Sequence, residues 1–556
     1  MHPFLLNPLA DTPDKERGAI YTKREVVEIM LDLLGYTSDQ DLAKTSILEP
    51  SCGKGDFLLP VVERLLSSYL QHGGCPSAAY NNLKEAIQAT EINEQSYLLT
   101  WAKIKKVIVA HGISPFDADL LTQSWLIHAD FLLVKMPSGF DFIAGNPPYL
   151  RQEKIPDSLL LEYRRRFHTL YDRADIYVPF IERSLNLLRT NGQLSFICSD
   201  RWMKNRYGGP LRNLIASGFH LKSVISVNDV PAFTEEVCVY PAIFIIQNAL
   251  CNDATRIAVP PKTLEQLKAT ANVMNLPVEN DQFFREMSGV VLAGQPWLTE
   301  ANSHIELIRR LERDYPTLEE AGCRVGIGVA TGADGIYIGR YEDLDVEDER
   351  KVPLIGTKDI CHGNVIWKGR GVVNPFEPDG SIADLEKYPR FKKFVLENEV
   401  LIRRRNVASR AGNNWYRTID RISTDLVTTP KLVIPDIKGT ANVVYEEGRY
   451  YPHHNLYYVT SKTWELRPLQ TILRSRLFQL FITAYSVKMQ GGYLRFQAQY
   501  LRRLRLPKWE NVPLDMRLAL AKAAVGGDPT ECDAAVAELF QLSDSELLTL
   551  RLFKYD

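Results

Sequence analysis

The chain has few cysteines, and none are arranged to bind a structural metal. Among its 556 residues are 8 cysteines, and no two of them form a C-x-x-C pair. No Cys/His group has zinc spacing. The neighbouring pair His453 and His454 is expected to be incidental, because adjacent residues of a strand point to opposite faces. We therefore expect no metal site and a reducing, cytoplasmic environment.

Long apolar runs and a strong net charge are also missing. The apolar stretch 237–246 is too short to cross a bilayer, and residues 1–10 lack the two regions of a signal peptide. The formal net charge is only −2, so the whole chain has no bias toward nucleic acid. Residues 395–510, however, hold 19 Lys and Arg against 9 Asp and Glu. This excess of basic residues predicts a surface that binds phosphates, although a solvated basic surface would also explain it.

The order of apolar segments predicts an α/β domain followed by a second domain. Up to about residue 250, short apolar runs alternate with helical periodicity, which is typical of a mostly parallel sheet with helices on both faces. Thr22 is predicted to cap the helix that follows it. Strands are predicted at 46–49, 86–91, 127–131, 140–145 and 193–198, with a terminal pair at 221–227 and 237–246. We place the first domain at 1–255, a connector at 256–300, and a mixed α+β domain with a helical C-terminal end at 301–556.

A glycine loop after the first predicted strand indicates a ligand site. The segment 49–56 contains G-x-G, whose glycines let the backbone approach a ligand, and the next helix offers free N–H groups. Glu49 and Asp56 flank the loop, which disfavours a polyphosphate and favours a ligand with an ammonium group, such as S-adenosylmethionine. A plain tight turn would also explain the loop. Glu91 and Asp130 end the next two strands, so three acids converge on the sheet edge where open α/β folds bind ligands.

Asn146, Pro147, Pro148 and Tyr149 follow the fourth predicted strand and form a stiff loop. The side-chain carbonyl of Asn146 and the backbone carbonyl of Pro147 can accept both hydrogens of a planar amino group. This localises the lone pair of its nitrogen, while Tyr149 can stack on the attached ring. Adenine is such a substrate. The alternative is a proline-rich turn with an exposed tyrosine.

Together these motifs resemble the gamma-class N6-adenine DNA methyltransferases of the TaqI type. The resemblance is carried, in chain order, by 18–27, 47–53, 129–133 and 145–149, and more loosely by 491–496 and 500–504. It implies a Rossmann-like, S-adenosylmethionine-dependent methyltransferase domain followed by a C-terminal target-recognition domain. It also implies methylation of the N6 amino group of an adenine flipped out of duplex DNA, within a restriction-modification or other phage-defence system.

The resemblance further implies roles for individual residues. Phe233 stands where an aromatic packs against the target base, although an ordinary hydrophobic anchor explains it equally well. Cofactor binding is expected for Thr22, Glu49, Ser51, Gly53, Glu91, Asp130, Phe131 and Asn146, and catalysis for Asn146, Pro147 and Tyr149. In the basic region, the candidates for DNA phosphate contact are Arg403, Arg404, Arg405, Arg410, Arg495, Arg502 and Arg503.

Other functions stay open. The motif N-P-P-Y (residues 146–149) is also used by enzymes that methylate RNA or protein glutamine. Those enzymes are usually compact, so the long segment after residue 301 favours duplex DNA as the substrate. A non-catalytic DNA-binding subunit is a further alternative, which the presence of Asn146, Tyr149, Glu91 and Asp130 disfavours. We expect a monomer that acts on double-stranded DNA and has no membrane partner. Because no nuclease signature is recognisable, we expect a cognate restriction endonuclease to be either encoded separately or absent.

Overall fold

The computed structural model describes residues 9, 10, 12–235, 240–250, 254–277, 282–299, 304–361, 363–438, 442–486 and 494–553. The chain divides into two compact units, Met1–Asn302 (unit 1) and Ser303–Asp556 (unit 2). Across these described ranges, no helix is both long enough and apolar enough to cross a membrane.

Unit 1 is built on one large sheet, to which nine strands contribute within its described residues. The strands are β1 (Ile47–Glu49), β2 (Ile87–Glu91), β3 (Leu126–His128), β4 (Phe140–Gly145), β5 (Leu188–Ser199), β6 (His220–Ser226), β7 (Pro241–Gln247), β8 (Ala254–Ala258) and β9 (Phe284–Ser288). The helices are α1 (Asp14–Arg17), α2 (Arg24–Leu34), α3 (Leu58–Gln71), α4 (Ala79–Leu83), α5 (Glu94–Ala110), α6 (Pro115–Trp125), α7 (Asp157–Arg166), α8 (Tyr177–Leu187), α9 (Arg201–Lys204), α10 (Gly209–Gly218) and α11 (Leu264–Met274).

The strand order places a crevice in the middle of the sheet. The order is β3-β2-β1-β4-β5-β7-β6-β8-β9, in which β3, β2, β1, β4 and β5 are parallel and β7 is antiparallel to both of its neighbours. From β1 the chain continues to β2 and β3 on one side, then returns to β4 on the other. The carboxyl ends of β1 and β4 therefore border the position where open α/β sheets bind ligands.

Both faces of the sheet are buried. Ile47 belongs to one hydrophobic cluster and the adjacent Leu48 to another. In β7, Ile243 and Phe244 divide between the same two clusters. Because successive strand residues point to opposite faces, helices must cover the sheet on both sides. This confirms the expected Rossmann-like fold class.

The strands bordering the crevice have nearly the predicted bounds, but the end of the sheet does not match the prediction. The pair β6 and β7 was expected to be terminal, with a connector at 256–300. Instead, β8 pairs with β6 and β9 pairs with β8, with α11 between them, so the sheet continues through this segment. The connector prediction is therefore corrected. These strands are short, and β9 buries only Phe284 among mostly exposed positions, so its apolar pattern is weak.

Unit 2 combines small sheets with helices, which confirms a mixed α+β second domain. Its strands are β10 (Cys323–Ile327), β11 (Ile338–Arg340), β12 (Lys351–Ile355), β13 (Ile360–Cys361), β14 (Asn364–Val365), β15 (Arg370–Val373), β16 (Lys431–Pro435), β17 (Ile437–Lys438), β18 (Val444–Glu446), β19 (Tyr451–Pro452), β20 (Leu456–Ser461) and β21 (Leu494–Arg495). The two larger sheets have the orders β10-β20-β16-β18 and β11-β15-β12-β19.

Helices flank these sheets and dominate the end of unit 2, as the sequence predicts. They are α12 (His304–Asp314), α13 (Asp334–Tyr337), α14 (Pro389–Glu397), α15 (Glu399–Arg403), α16 (Asn406–Ser409), α17 (Thr424–Thr428), α18 (Leu466–Arg474), α19 (Arg476–Tyr485), α20 (Ala498–Leu501), α21 (Leu514–Gly526), α22 (Pro529–Leu539) and α23 (Asp544–Leu552).

Candidate active site

A cleft opens in unit 1 beside the carboxyl ends of β1, β2 and β4. It encloses about 910 Å³ of empty space, part of which is open to solvent. The residues predicted to bind a cofactor all line it: Thr22, Glu49, Ser51, Gly53, Glu91, Asp130, Phe131 and Asn146. The topology explains this convergence, because parallel strands bring their following loops to one edge of the sheet.

Asn146 presents an acceptor in this cleft. Its side-chain nitrogen donates to the carbonyl of Ile20 at 2.9 Å and to the hydroxyl of Thr22 at 3.1 Å. Because the Ile20 carbonyl can only accept, the amide has one orientation. Its oxygen Oδ1 is buried and has no hydrogen-bond partner among the described residues. Asn146 therefore offers a fixed, unused carbonyl.

Thr22 does not cap a helix, contrary to prediction. The N-cap of α2 is Lys23, which makes no side-chain capping bond. The Thr22 hydroxyl instead contacts Asn146, and the Thr22 backbone forms an isolated antiparallel bridge with Phe233. The segment before α2 is thus shaped by contacts with distant parts of unit 1.

The same segment holds the loop after β4. The backbone N–H of Tyr149 donates to the carbonyl of Gly18 at 2.8 Å. Gly18 has φ +74°, and a Cβ added there would lie 2.4 Å from the carbonyl carbon and oxygen of Tyr149. Only glycine allows so close an approach in this conformation. The 146–149 loop is therefore fixed from both sides.

Pro147, Tyr149 and Phe233 lie outside the walls of the cleft. The Tyr149 hydroxyl donates to the carbonyl of Ile197 at 3.5 Å, and its partly buried ring lies 6.2 Å from the ring of Tyr177. Burial raises the pKa of the Tyr149 hydroxyl. Phe233 is 7% exposed and packs in the hydrophobic core. Contact of Tyr149 and Phe233 with a target base remains a prediction.

Glu49 and Asp56 supply unpaired acidic oxygens. Glu49 is 3% exposed, and its Oε2 has no hydrogen-bond partner among the described residues. Asp56 Oδ2 is likewise buried without a described partner. Burial raises the pKa of Glu49 well above its usual range, and the charges of Asp56 and Glu91 raise it further. Burial also raises the pKa of Asp56. The two carboxyls therefore fit a cationic group, such as the ammonium of S-adenosylmethionine.

Glu91 fixes the glycine loop. Its Oε2 accepts the backbone N–H of Gly53 at 2.8 Å, and its Oε1 accepts the backbone N–H of Asn93 at 2.8 Å. Arg17, which also lines the cleft, donates to Oε1 at 3.3 Å. A carboxylate has about four acceptor sites, so Oε2 retains capacity for a ligand hydroxyl. Arg17 was not anticipated, because nothing in its local sequence indicates a partner so far along the chain.

Asp130 and Phe131 form the next part of the wall. Asp130 accepts the backbone N–H of Leu132 at 2.8 Å and the Tyr163 hydroxyl at 2.5 Å. Burial raises the pKa of Asp130. Phe131 is 2% exposed, and its ring centroid lies 5.1 Å from that of Phe180. Tyr163 on α7 was also missed, since its only sequence signal is a position four residues after the buried Leu159.

Two of the predicted phosphate-binding arginines have structural contacts in unit 2. Arg405 donates to the backbone carbonyls of Thr331 and Trp415 at 2.8 and 3.1 Å. Arg403 pairs with Glu399 at 2.7 Å, and its guanidinium lies 4.1 Å from the Trp415 ring centroid. Arg405 therefore has a structural role in unit 2.

Of the other five predicted arginines, two also have partners in unit 2 and two are exposed without an ion pair. Arg502 pairs with Glu319 at 2.9 Å. The guanidinium carbon of Arg503 lies 4.7 Å from the ring centroid of Tyr485. Arg404 and Arg410 are exposed and form no ion pair with any described residue. The side chain of Arg495 is outside the described residues. Arg404 and Arg410 are thus the candidates most available to a ligand.

Comparisons with known proteins match both units. Residues 42–233 match the family model described as Eco57I restriction-modification methylase. Residues 366–506 match the TaqI-like C-terminal specificity domain. The fold also resembles that of the type IIL restriction-modification enzyme MmeI, solved in complex with DNA, with a TM-score of 0.61 and 12% identity over 97% of this chain and 78% of that one.

Two relatives match nearly end to end. The type II methyltransferase M.XhoI of Xanthomonas vasicola is 49% identical over 96% of this chain and 98% of its own length. The type II methyltransferase M.PaeR7I of Pseudomonas aeruginosa is 50% identical over 95% of this chain and 92% of its own.

Proposed function

The chain belongs to the TaqI-like, gamma-class type II DNA methyltransferases of restriction-modification systems, and from this premise we propose that it methylates the N6 amino group of adenine in duplex DNA. The observation that carries the proposal is the fixed, unpaired Oδ1 of Asn146. An acceptor held in a buried site suits an amino group, which has hydrogens to donate.

Asn146 and Pro147 would activate the target nitrogen. The lone pair of an adenine amino nitrogen is delocalised into the ring, which makes it a poor nucleophile. The Asn146 Oδ1 and the Pro147 carbonyl would accept its two hydrogens and favour a tetrahedral nitrogen with a localised lone pair. Because Ile20, Thr22 and Gly18 hold the loop in place, little reorganisation accompanies this step.

The cleft would hold S-adenosylmethionine, which supplies an activated methyl group when bound. Glu49 and Asp56 would accept hydrogen bonds from its ammonium group, and Glu91 would bind the ribose hydroxyls. Asp130 and Phe131 would contact its adenine, by hydrogen bonding and packing. The unpaired oxygens of Glu49 and Asp56 support this orientation, since ammonium is the cationic part of the ligand that can donate several hydrogen bonds.

The DNA would be bound by unit 2 and the target base flipped into unit 1. An amino group inside a duplex cannot reach Asn146, so extrusion of the base is required. Stacking of the flipped base on Tyr149 would contribute roughly 1–3 kcal/mol, which offsets part of the free-energy cost of unstacking it from the duplex. We assign target recognition to unit 2, whose residues 366–506 match the specificity-domain model.

The test is Asn146→Ala, with Asn81→Ala on exposed surface as the matched control. We expect transfer of labelled methyl groups to duplex DNA to fall at least about 100-fold in Asn146→Ala, because a preorganised acceptor is removed. Cofactor affinity by calorimetry should change little. Activity above a few per cent of wild type would contradict the role of Asn146.

Mass spectrometry of the wild-type product separates the alternatives. N6-methyladenine in DNA supports the proposal, whereas N4-methylcytosine would refute the choice of base. Methylated RNA or protein glutamine, with unmodified DNA, would refute the choice of substrate. Failure to bind S-adenosylmethionine would instead indicate a non-catalytic DNA-binding subunit.

A further inference from the structure

Asp334, His453 and His454 form a cluster in unit 2. One possible ligand atom of each lies within 4.8 Å of those of the other two. Asp334 Oδ2 is 3.0 Å from His453 Nε2 and 4.0 Å from His454 Nδ1. The imidazole centroids are 4.0 Å apart. The expectation that the histidines point to opposite faces is wrong, because β19 ends at Pro452 and a turn begins at His454.

Backbone hydrogen bonds hold the two segments of the cluster together. The N–H of Val329 donates to the carbonyl of Pro452 at 2.9 Å, and the N–H of His454 donates to the carbonyl of Val329 at 3.0 Å. Asp334 is oriented by the Thr331 hydroxyl, which donates to its Oδ1 at 2.5 Å. These hydrogen bonds therefore hold the carboxylate and the two imidazoles close together.

His453 is the most buried member of the cluster. Its side chain is 9% exposed, and the ring nitrogen that faces Asp334 is Nε2. An ion in the cluster would therefore bind His453 through Nε2. Because the ring is buried, this ligand atom has little freedom to move away from the carboxylate.

We propose that Asp334, His453 and His454 bind one divalent transition-metal ion, with Zn²⁺ as the reference. Two imidazoles and a carboxylate suit such an ion, whereas Mg²⁺ and Ca²⁺ prefer oxygen ligands alone. Zinc bonds of about 2.1 Å in a tetrahedral site place ligand atoms about 3.4 Å apart. The separations of 3.0 and 4.0 Å from Asp334 Oδ2 bracket this value.

Three protein ligands leave a fourth position for water or another group. The ion would connect the first residue of α13 to the turn between β19 and β20, and so stabilise unit 2. None of the three ligands lines the cofactor cleft, whose described lining residues belong to unit 1. The presence or absence of the ion can be tested without reference to the proposed methyl transfer.

The test is calorimetric titration of the metal-free full chain with Zn²⁺. His454 and Asp334 are 45% and 43% exposed, so His454→Ala and Asp334→Asn should fold, and His168→Ala is the matched control. We expect one Zn²⁺ per wild-type or control chain and at least tenfold weaker binding in the two variants. Co²⁺ bound to the wild type should show a ligand-field spectrum that His454→Ala alters.

Several outcomes would overturn the proposal. Equal Zn²⁺ affinity in all four proteins would assign binding to other surface groups, and no binding by the wild type would exclude a site. A Mg²⁺ affinity that matches that of Zn²⁺ and is abolished in the same variants would show that the ion class is wrong.

Discussion

At the scale of single residues, the cleft of unit 1 combines unpaired acceptors with firm anchoring of their neighbours. Glu49 Oε2, Asp56 Oδ2 and Asn146 Oδ1 are all buried without a described hydrogen-bond partner. Each such atom costs about 1–3 kcal/mol in the free protein. A ligand that donates hydrogen bonds to these oxygens recovers that free energy. The arrangement therefore increases ligand affinity and lowers the free energy of unfolding of the free protein.

The raised pKa of Glu49 predicts a pH-dependent cofactor affinity. Burial keeps the carboxyl neutral above its usual range, whereas an ammonium ligand stabilises the ionised form. Binding should therefore release a proton from Glu49. Cofactor affinity should rise with pH until the pH reaches the raised pKa of Glu49. As the pH decreases below that pKa, the affinity should decrease by at most about tenfold per pH unit. Calorimetry at several pH values, in buffers of different ionisation enthalpy, measures both effects.

Glu49→Gln isolates this contribution. The variant should bind S-adenosylmethionine more weakly and with a shallower pH dependence, because its amide does not titrate. Asp56→Asn is the necessary comparison, since burial raises the pKa of Asp56 as well. An unchanged pH slope in Glu49→Gln would assign the titration to another group.

At the scale of elements, docking of the segment before α2 onto the 146–149 loop should determine activity. Gly18→Ala would strain a residue at φ +74° and place its Cβ 2.4 Å from the Tyr149 carbonyl. Because Tyr149 would have to move, Asn146 would be displaced as well. We expect kcat for methyl transfer to fall at least about tenfold, as misplacement of a positioned group by about 1 Å can cost up to 100-fold.

Gly35→Ala controls for backbone strain alone. Gly35 has φ +76°, but nothing lies within 4 Å of an added Cβ. Both variants should lose about 1–2 kcal/mol of unfolding free energy from the conformation itself, as urea titration would show. Only Gly18→Ala should lose activity. Equal activity in the two variants would mean that close contact with Tyr149 is not required.

Local sequence patterns predict the walls of the cleft but not the contacts that orient them. Glu49 and Asn146 could be placed because Glu49 ends one buried apolar strand and Asn146 follows another. Arg17 contacts Glu91, 74 residues along the chain, and Tyr163 contacts Asp130 from a helix with few apolar residues. Such contacts depend on how elements pack, and periodicity within one element carries no information about its neighbour. The same limit applies to Thr22, whose hydroxyl suits a helix cap or Asn146 equally well.

At the scale of the whole molecule, the near-neutral net charge conceals a separation of functions along the chain. The cofactor cleft is lined by residues of unit 1, whereas the basic segment 395–510 lies entirely in unit 2. Electrostatic attraction to phosphates should therefore be a property of unit 2 and be independent of cofactor affinity.

The double variant Arg404→Ala/Arg410→Ala tests this separation, because both side chains are exposed and form no ion pair with any described residue. We expect the affinity for duplex DNA to fall roughly tenfold at low salt. The decrease should be the same for DNA that contains the recognition sequence and for DNA that lacks it, since phosphate contacts carry no sequence information. The slope of log affinity against log salt should become shallower by about 0.9 for each phosphate that the variant no longer neutralises. Arg324→Ala/Arg551→Ala, at two exposed arginines outside the basic segment, is the matched double control. Cofactor affinity should stay the same in all three proteins. A salt slope equal to that of wild type would move the phosphate contacts to other residues of unit 2.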